Sequence, residues 1–566
     1  MGKRTIASLS IGIVAMWAAA LPAENFTLRG DMGATIRYEL QERITTGDGV
    51  RKLVLSFVVP QSYSSPTYRQ EIQDFDLVFQ PTPQEKTRGR DSRGNDIITA
   101  TWTSPPAAID VKLNCSALNA TQLPTLETES PFPLGPTDPA MRDYLRPTEL
   151  VQADDPRIRK LARELTADVK TEFDAVQRII SWVVDHIRYV NPPERYDALY
   201  SLDSGKGNCQ NYSHLSAALL RNIGVPTRIV NGFTLNQPYN VAWKKGVLTF
   251  KMGQGRHSWI EVWFPDLGWV PFDPQNTVLF VSNRYIRIEV GVDNHETKND
   301  GLLRWVQLQD AAEQPTLQEN IAAQFGSDRV SIKGDQQAYG PKSILLSPNV
   351  RGAFKQIERK PTPPPPVIPA EERKRLKFQV PIRFGNMEFP EDIDFAFPRT
   401  TKASGKNSFE MSKNFLVETA EYVTSKRTQY AQIFVTRKPV KLEKIGLALH
   451  NFGGEGMLWV DILQDENGKP GKPLSSSQLI DLSQLSQRPG YRWADFDFRR
   501  EAPVLMPGQY WIALGFTGSP IVNWYFTYGK PVGPLDGTRY KDAFEEDWSG
   551  AMNYEFNYRV VGLTVR

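Results

Sequence analysis

The chain has 566 residues, with 67 lysines and arginines against 64 aspartates and glutamates, a formal net charge of +3. It is too long for one hydrophobic core, so several domains are expected. The near-neutral balance argues against nucleic acid or another polyanion as partner, and 42 prolines with 11% aromatic residues favour β-domains and loops over helix bundles.

Residues 1–23 read as a secretory signal peptide. Lys3 and Arg4 precede an apolar run over 6–20, and Ala20 or Ala23 stands before a cleavage position. That run, of about 15 residues, is shorter than the roughly 20 needed to span a bilayer. An exported protein, periplasmic or extracellular and without a stable membrane span, is expected. No cysteine lies near Ala23, so a lipoprotein anchor is not supported.

Residues 24–148 carry strand patterns at 51–60, 74–79, 97–102 and 108–113, which suggest an N-terminal immunoglobulin-like β-sandwich. Cys115 continues an alternating run (Val111, Leu113, Cys115, Ala117), as a core strand residue does, and is not expected to pair with Cys209. A proline-rich passage over 131–156 leads into a second domain, 149–310.

This domain opens with helices. Asp155-Pro156 provides a cap and a first-turn proline. A second helix begins at Thr171, and Phe173, Val176, Ile180, Val183, Val184 and Ile187 recur at helical spacing. In the third, Asn208 caps, Cys209 falls in the first turn, Tyr212, Leu215, Leu219 and Ile223 form the buried stripe, and Gly224 stops the helix before Pro226. Strands follow at 228–233, 247–251, 257–264 and 269–273. Residues 311–375 read as an irregular linker ending in a proline-rich spacer at 361–366. Residues 376–566 return to strand patterns and suggest a C-terminal jelly-roll-like sandwich. Trp524, Tyr525, Tyr528 and Trp548 are its candidates for cell-wall or glycan contact, set against core packing.

The chemistry concentrates between residues 205 and 274. A thiol at a helix N-terminus meets the positive end of the helix dipole and ionises more easily. Cys209 has that position, and His257 is the candidate base. Asp273 lies 273 − 257 = 16 residues on, across a tight turn, and so falls near His257 on a paired strand, where it would orient the imidazole. The Cys209 backbone N–H is the first candidate donor to an acyl oxyanion, and Tyr189 a second. Trp259 and Trp269 are candidate walls of a substrate cleft. His214, five positions beyond Cys209, projects about 140° away around the helix. His186, His295 and His450 lie outside the constellation.

The pattern Gly207-Asn208-Cys209-Gln210-Asn211-Tyr212, Gly224-Val225-Pro226-Thr227-Arg228, His257-Ser258-Trp259-Ile260-Glu261-Val262-Trp263 and Gly268-Trp269-Val270-Pro271-Phe272-Asp273-Pro274 resembles the transglutaminase-like superfamily of papain-fold cysteine acyl-transfer enzymes. The resemblance covers roughly residues 150–305. It implies a multidomain α+β protein with a papain-like core between two β-sandwiches, an arrangement similar to exported bacterial members. Cys209 matches the nucleophile, His257 the base and Asp273 the orienting residue. No acidic cluster has calcium-loop spacing, so calcium dependence is not carried over, and no metal or cofactor is expected. The implied activity is attack of Cys209 on a peptide or side-chain amide of a protein or peptide substrate, through a thioester. Hydrolysis is favoured over cross-linking because water is always available. The alternative is a non-catalytic surface or glycan-binding scaffold with a relic core.

Overall fold

The structure is a computed structural model. It describes residues 26–566 apart from internal stretches that include 298–303, 308–315, 336–345, 352–367, 390–398, 414–419 and 528–537. The signal segment 1–23 and the proline spacer 361–366 lie outside the described residues, as does Tyr528. Among the described residues no helix is long and apolar enough to cross a membrane.

Four helices lead into the central domain: α1 (Pro156–Leu165), α2 (Glu172–His186), α3 (Ala198–Ser204) and α4 (Cys209–Asn222). They back a four-stranded antiparallel sheet in the spatial order Gly268–Phe272, Gly255–Phe264, Thr227–Thr234, Tyr285–Gly291. Each helix forms for a local reason. Asp155 accepts the Arg157 N–H, Thr171 that of Asp174, Asp197 that of Tyr200 and Asn208 that of Gln210. Val176, Ile180 and Val183 of α2 and Leu215 and Leu219 of α4 join Ile229, Ile260 and Val262 of the sheet in one core. Burying a side chain of this size stabilises by about 1.5–3 kcal/mol, and this apolar layer seats α4 on the sheet.

On the N-terminal side, one sheet is built on Phe26–Thr45, Ala108–Leu123 and Tyr68–Gln80. A second is built on Lys52–Val59, Asp96–Thr103 and Glu85–Arg90. Ile36, Leu40 and Leu113 of the first pack with Leu55, Phe57 and Trp102 of the second. The same core takes in Phe233 and Ile286 of the central sheet, so the two domains share a buried layer. The C-terminal part is again two sheets around one core that includes Leu447, Val460, Ile512 and Trp524.

Three boundaries read from the sequence are corrected. Residues 311–375 are not wholly linker, because Thr316–Phe325 and Arg329–Asp335 pair antiparallel with Phe26–Thr45. Ala323 and Phe325 pack on the N-terminal core, and the intervening glutamines and asparagine had masked that alternation. Arg399–Gly405 and Ser408–Lys413, expected in the C-terminal sandwich, extend the N-terminal second sheet through Arg304–Gln307. The hairpin Tyr239–Trp243/Gly246–Phe250, expected in the central domain, joins a C-terminal sheet by pairing with Gly550–Met552. Trp524, Tyr525 and Trp548 are buried and serve as core aromatics.

Glu172, at the first turn of α2, is fully buried. Neither of its oxygens has a hydrogen-bond partner of good geometry, although the nearby Ser130 hydroxyl slightly favours the charged form. Burial pushes its carboxyl up from 4.5 to about 8. The fold accepts the protonated form, so the site's contribution is complete below pH 4.5 and is lost as pH rises through about 8. Glu172→Gln is therefore expected to raise the melting temperature more at pH 9 than at pH 5, a gain on the order of a few kcal/mol. Parallel thermal melts of the two proteins at both pH values check this.

Candidate functional site

α4 starts at Cys209, and its first turn is held from several directions. The Asn208 side chain accepts the Gln210 N–H at 3.1 Å, and the Asn211 side chain accepts the Asn208 N–H at 3.1 Å, which closes a capping box. Asn211 also donates to the Arg195 carbonyl at 3.0 Å and to Ser201 Oγ at 2.9 Å. The Tyr212 hydroxyl donates to the Ile187 carbonyl at 2.7 Å, tying the helix to the end of α2. Cys209 is half-buried and Cys115 buried, and both are free thiols. They stand in different domains.

His257 begins the inner part of the strand Gly255–Phe264, and Asp273 follows the strand Gly268–Phe272. The register sets Ile260 opposite Phe272, which brings Asp273 diagonally beside His257. His257 Nε2 donates to Asp273 Oδ2 at 2.9 Å. That leaves Nδ1 for the Cys209 thiol, which is close enough to raise the imidazole. Burial alone would push the imidazole down. The charge and hydrogen bond of Asp273, followed by those of Cys209, outweigh it and raise His257 to about 10. Asp273 is itself fully buried. Its Oδ2 also accepts the Tyr285 hydroxyl at 2.5 Å, and its Oδ1 the Gln275 N–H at 3.0 Å. The three residues singled out for chemistry thus form one connected array, Cys209–His257–Asp273.

Tyr285 was not anticipated. It opens the fourth strand of the sheet, and the only signal was a tyrosine at the head of an alternating run, Tyr285-Ile286-Arg287-Ile288-Glu289-Val290. Gly232 was not anticipated either. It lies opposite His257 in the neighbouring strand, and a methyl group there would stand 1.9 Å from the Ile286 carbonyl oxygen and 2.8 Å from the Trp259 ring. Tyr196 is a third addition. The residue is 38% exposed, and burial together with the charge of nearby Cys209 raises its hydroxyl above the ordinary range. It belongs to an irregular stretch with no periodicity to mark it.

The two expected cleft tryptophans are corrected. Trp259 is only 1% exposed, and its ring lies 6.0 Å from the His257 ring at 24°, so it backs the imidazole from the core. Trp269 sits four residues before Asp273, about 13 Å along an extended strand. There it meets Trp263 edge-on at 5.4 Å and the Arg228 guanidinium at 4.1 Å. Tyr189 is buried in a two-residue pairing beside Gly207, near the approach to Cys209. His214 is buried with Nδ1 2.6 Å from the Tyr196 carbonyl and Nε2 accepting the Asn294 N–H at 3.3 Å. Burial lowers it to about 4, and as a neutral ring it pins the Tyr196 segment. Among the described residues no group of three His, Cys, Asp or Glu side chains could hold a metal ion.

Five histidines make ring NMR tractable in selectively labelled protein. His257 is expected to remain protonated until about pH 10 and His214 neutral down to about pH 4. Asp273→Asn should return His257 toward the ordinary histidine range. An unchanged His257 titration in Asp273→Asn would contradict the assignment of cause.

Residues 159–274 match the family model described as the transglutaminase-like superfamily. An uncharacterised Bacillus subtilis (strain 168) protein, YebA, is 31% identical over 126 residues, which is 21% of this chain and 17% of YebA. An uncharacterised Mycobacterium leprae (strain TN) protein, ML0607, is 35% identical over 96 residues, 17% of this chain and 31% of that protein. The chain thus spans less than a third of the length of either curated relative. Among solved structures, a candidate cysteine protease from Cytophaga hutchinsonii matches 56% of this chain and 95% of its own, at 16% identity and a TM-score of 0.35. The periplasmic domain of TgpA from Pseudomonas aeruginosa, bound to ethylmercury, matches 45% of this chain and 91% of its own, at 16% identity and a TM-score of 0.22. The similarity to the transglutaminase-like superfamily thus lies on residues 159–274, the segment that carries Cys209, His257 and Asp273.

Proposed function

We propose that the protein is an exported cysteine enzyme that cleaves or transfers acyl groups from peptide or side-chain amides of protein substrates. The observation that carries the proposal is the connected array Cys209–His257–Asp273, with the sulfur at the start of a capped helix. In the proposed reaction the Cys209 thiolate attacks the amide carbonyl, and the carbonyl π electrons move onto oxygen. The α4 N-terminus faces that developing charge, with the Cys209 N–H as first donor and Tyr189 as candidate second. His257, protonated through Nδ1, passes its proton to the amine as the C–N bond breaks. A thioester on Cys209 and a free amine result. Water then attacks the thioester with neutral His257 taking its proton, and the carboxylic acid leaves as the thiol re-forms. An amine in place of water would give transfer; hydrolysis is the proposed main outcome. Asp273 holds the Nε2–H tautomer and offsets the charge on the ring, and Tyr285 holds Asp273.

The basic residues Lys3 and Arg4 and the apolar run after them support export.

Turnover is expected on a library of blocked peptides, read as peptide cleavage by mass spectrometry and as ammonia release from glutamine side chains. Cys209→Ala should abolish it, and Asp273→Asn should lower it by about 10²–10⁴-fold. Full turnover in Cys209→Ala would sink the proposal. Iodoacetamide should label Cys209 rapidly near neutral pH and more slowly in His257→Ala. Burial pushes the Cys115 thiol up to about 12, so that residue should stay unlabelled and act as an internal control.

A further inference from the structure

The chain approaches the nucleophile helix through a two-residue parallel ladder. Arg188 and Tyr189 lie beside Lys206 and Gly207, and the Gly207 carbonyl accepts the Val190 N–H at 2.9 Å. Gly207 precedes Cys209 by two residues. A methyl group on it would come within 2.2 Å of Asn211 Cβ, on the residue that closes the α4 cap. Any shift of the ladder is therefore passed directly to Cys209.

Both long cations of the ladder end on the C-terminal sandwich. Arg188 Nε donates to Asn386 Oδ1 at 3.0 Å, and Lys206 Nζ meets Glu388 Oε1 at 2.7 Å. The receiving segment is firmly held. Asn386 is buried and donates to Thr527 Oγ1 at 2.8 Å. Asn557 donates to the carbonyls of both Asn386 and Glu388, at 3.1 and 2.8 Å. Phe389 packs edge-on against Trp493 at 4.9 Å. A rigid element of one domain thus grips the strand that delivers the thiol of another.

We infer that Asn386 and Glu388 are positioning residues for Cys209, and that the C-terminal sandwich belongs to the scaffold of the reactive centre and is not a tethered accessory. This rests on the reading of Cys209 as a nucleophile paired with His257. Displacements well below a bond length change the rates of positioned groups strongly. The Lys206–Glu388 contact, half-exposed at both ends, contributes little to stability. Its effect is expected in reactivity.

The test is the iodoacetamide alkylation rate of Cys209 in the full-length protein, with His257→Ala as the floor. Lys206→Glu and Glu388→Lys should each slow labelling roughly tenfold, and the double charge swap should restore most of the rate. Single swaps that label like the wild type would overturn the positioning role while leaving the His257 dependence, and so the acyl-transfer reading, in place. Slowing without restoration in the double swap would also overturn it. A wild-type rate independent of His257 would instead remove the underlying reading and this inference with it. Where a charge reversal does not fold, Glu388→Gln replaces it; slowing supports the positioning role and an unchanged rate overturns it.

Discussion

Three hydrogen bonds converge on one fully buried carboxylate, and the arrangement of the site depends on them. Asp273 receives the imidazole N–H of His257, the hydroxyl of Tyr285 and the backbone N–H of Gln275. A carboxylate removed from water is tolerated only when such donors replace the lost solvent. The donors come from two strands and a turn, so the requirement to satisfy Asp273 fixes how those elements meet. His257 then has a single orientation, with Nε2 committed to Asp273 and Nδ1 left for a partner on the other side of the ring. The electrostatics follow from the same geometry. Burial disfavours an imidazolium, but the adjacent carboxylate and thiol more than reverse the effect.

The sheet beneath repeats this device. Glu261, two positions beyond Trp259, is fully buried between Arg228 at 2.5 Å and Arg287 at 2.7 Å. Burial opposes its charge, yet the two guanidiniums hold it below the usual glutamate range. Such a triad adds little net stability over an apolar equivalent, but it constrains register. A one-residue slip would turn Glu261 toward the apolar layer that Ile260 and Val262 present to the helices. Gly232 contributes to the same constraint by letting the Tyr285 strand and the Trp259 ring approach where any side chain would intrude. Glu261 and Trp259 share the strand that carries His257, and Gly232 lies opposite His257 in the strand beside it.

The legible part of this molecule was the part with local rules. Asn208 as a cap, Cys209 in the first helical turn, Gly224 at the helix end and the turn between His257 and Asp273 each leave a mark within a few residues. The helix stripe of α2 did the same, and every apolar member named from its periodicity is buried. The parts missed are joined across long stretches of chain. Tyr285 reaches Asp273 through strand pairing that no spacing announces. Thr316–Phe325 looked irregular because an outer strand is half-solvated and its alternation is diluted by polar residues. The tryptophans misled for a related reason. A large ring near a reactive residue can line an opening or fill the space behind it, and for Trp259 only the three-dimensional packing distinguishes the two.

The strand pairings also carry an order of events. Phe26 lies opposite Asp335, a separation of 335 − 26 = 309 residues, and Val247 lies beside Gly550, a separation of 550 − 247 = 303. A chain emerging from the N-terminal side offers the strand Phe26–Thr45 long before that strand has its outer neighbours, and presents the Gly246–Phe250 edge hundreds of residues ahead of its partner. Contacts so distant in sequence form late and slowly, and exposed edges in the interval invite pairing with other chains. The hairpin Tyr239–Trp243/Gly246–Phe250 must therefore wait for the Gly550–Met552 strand, made long after it, before its edge is covered.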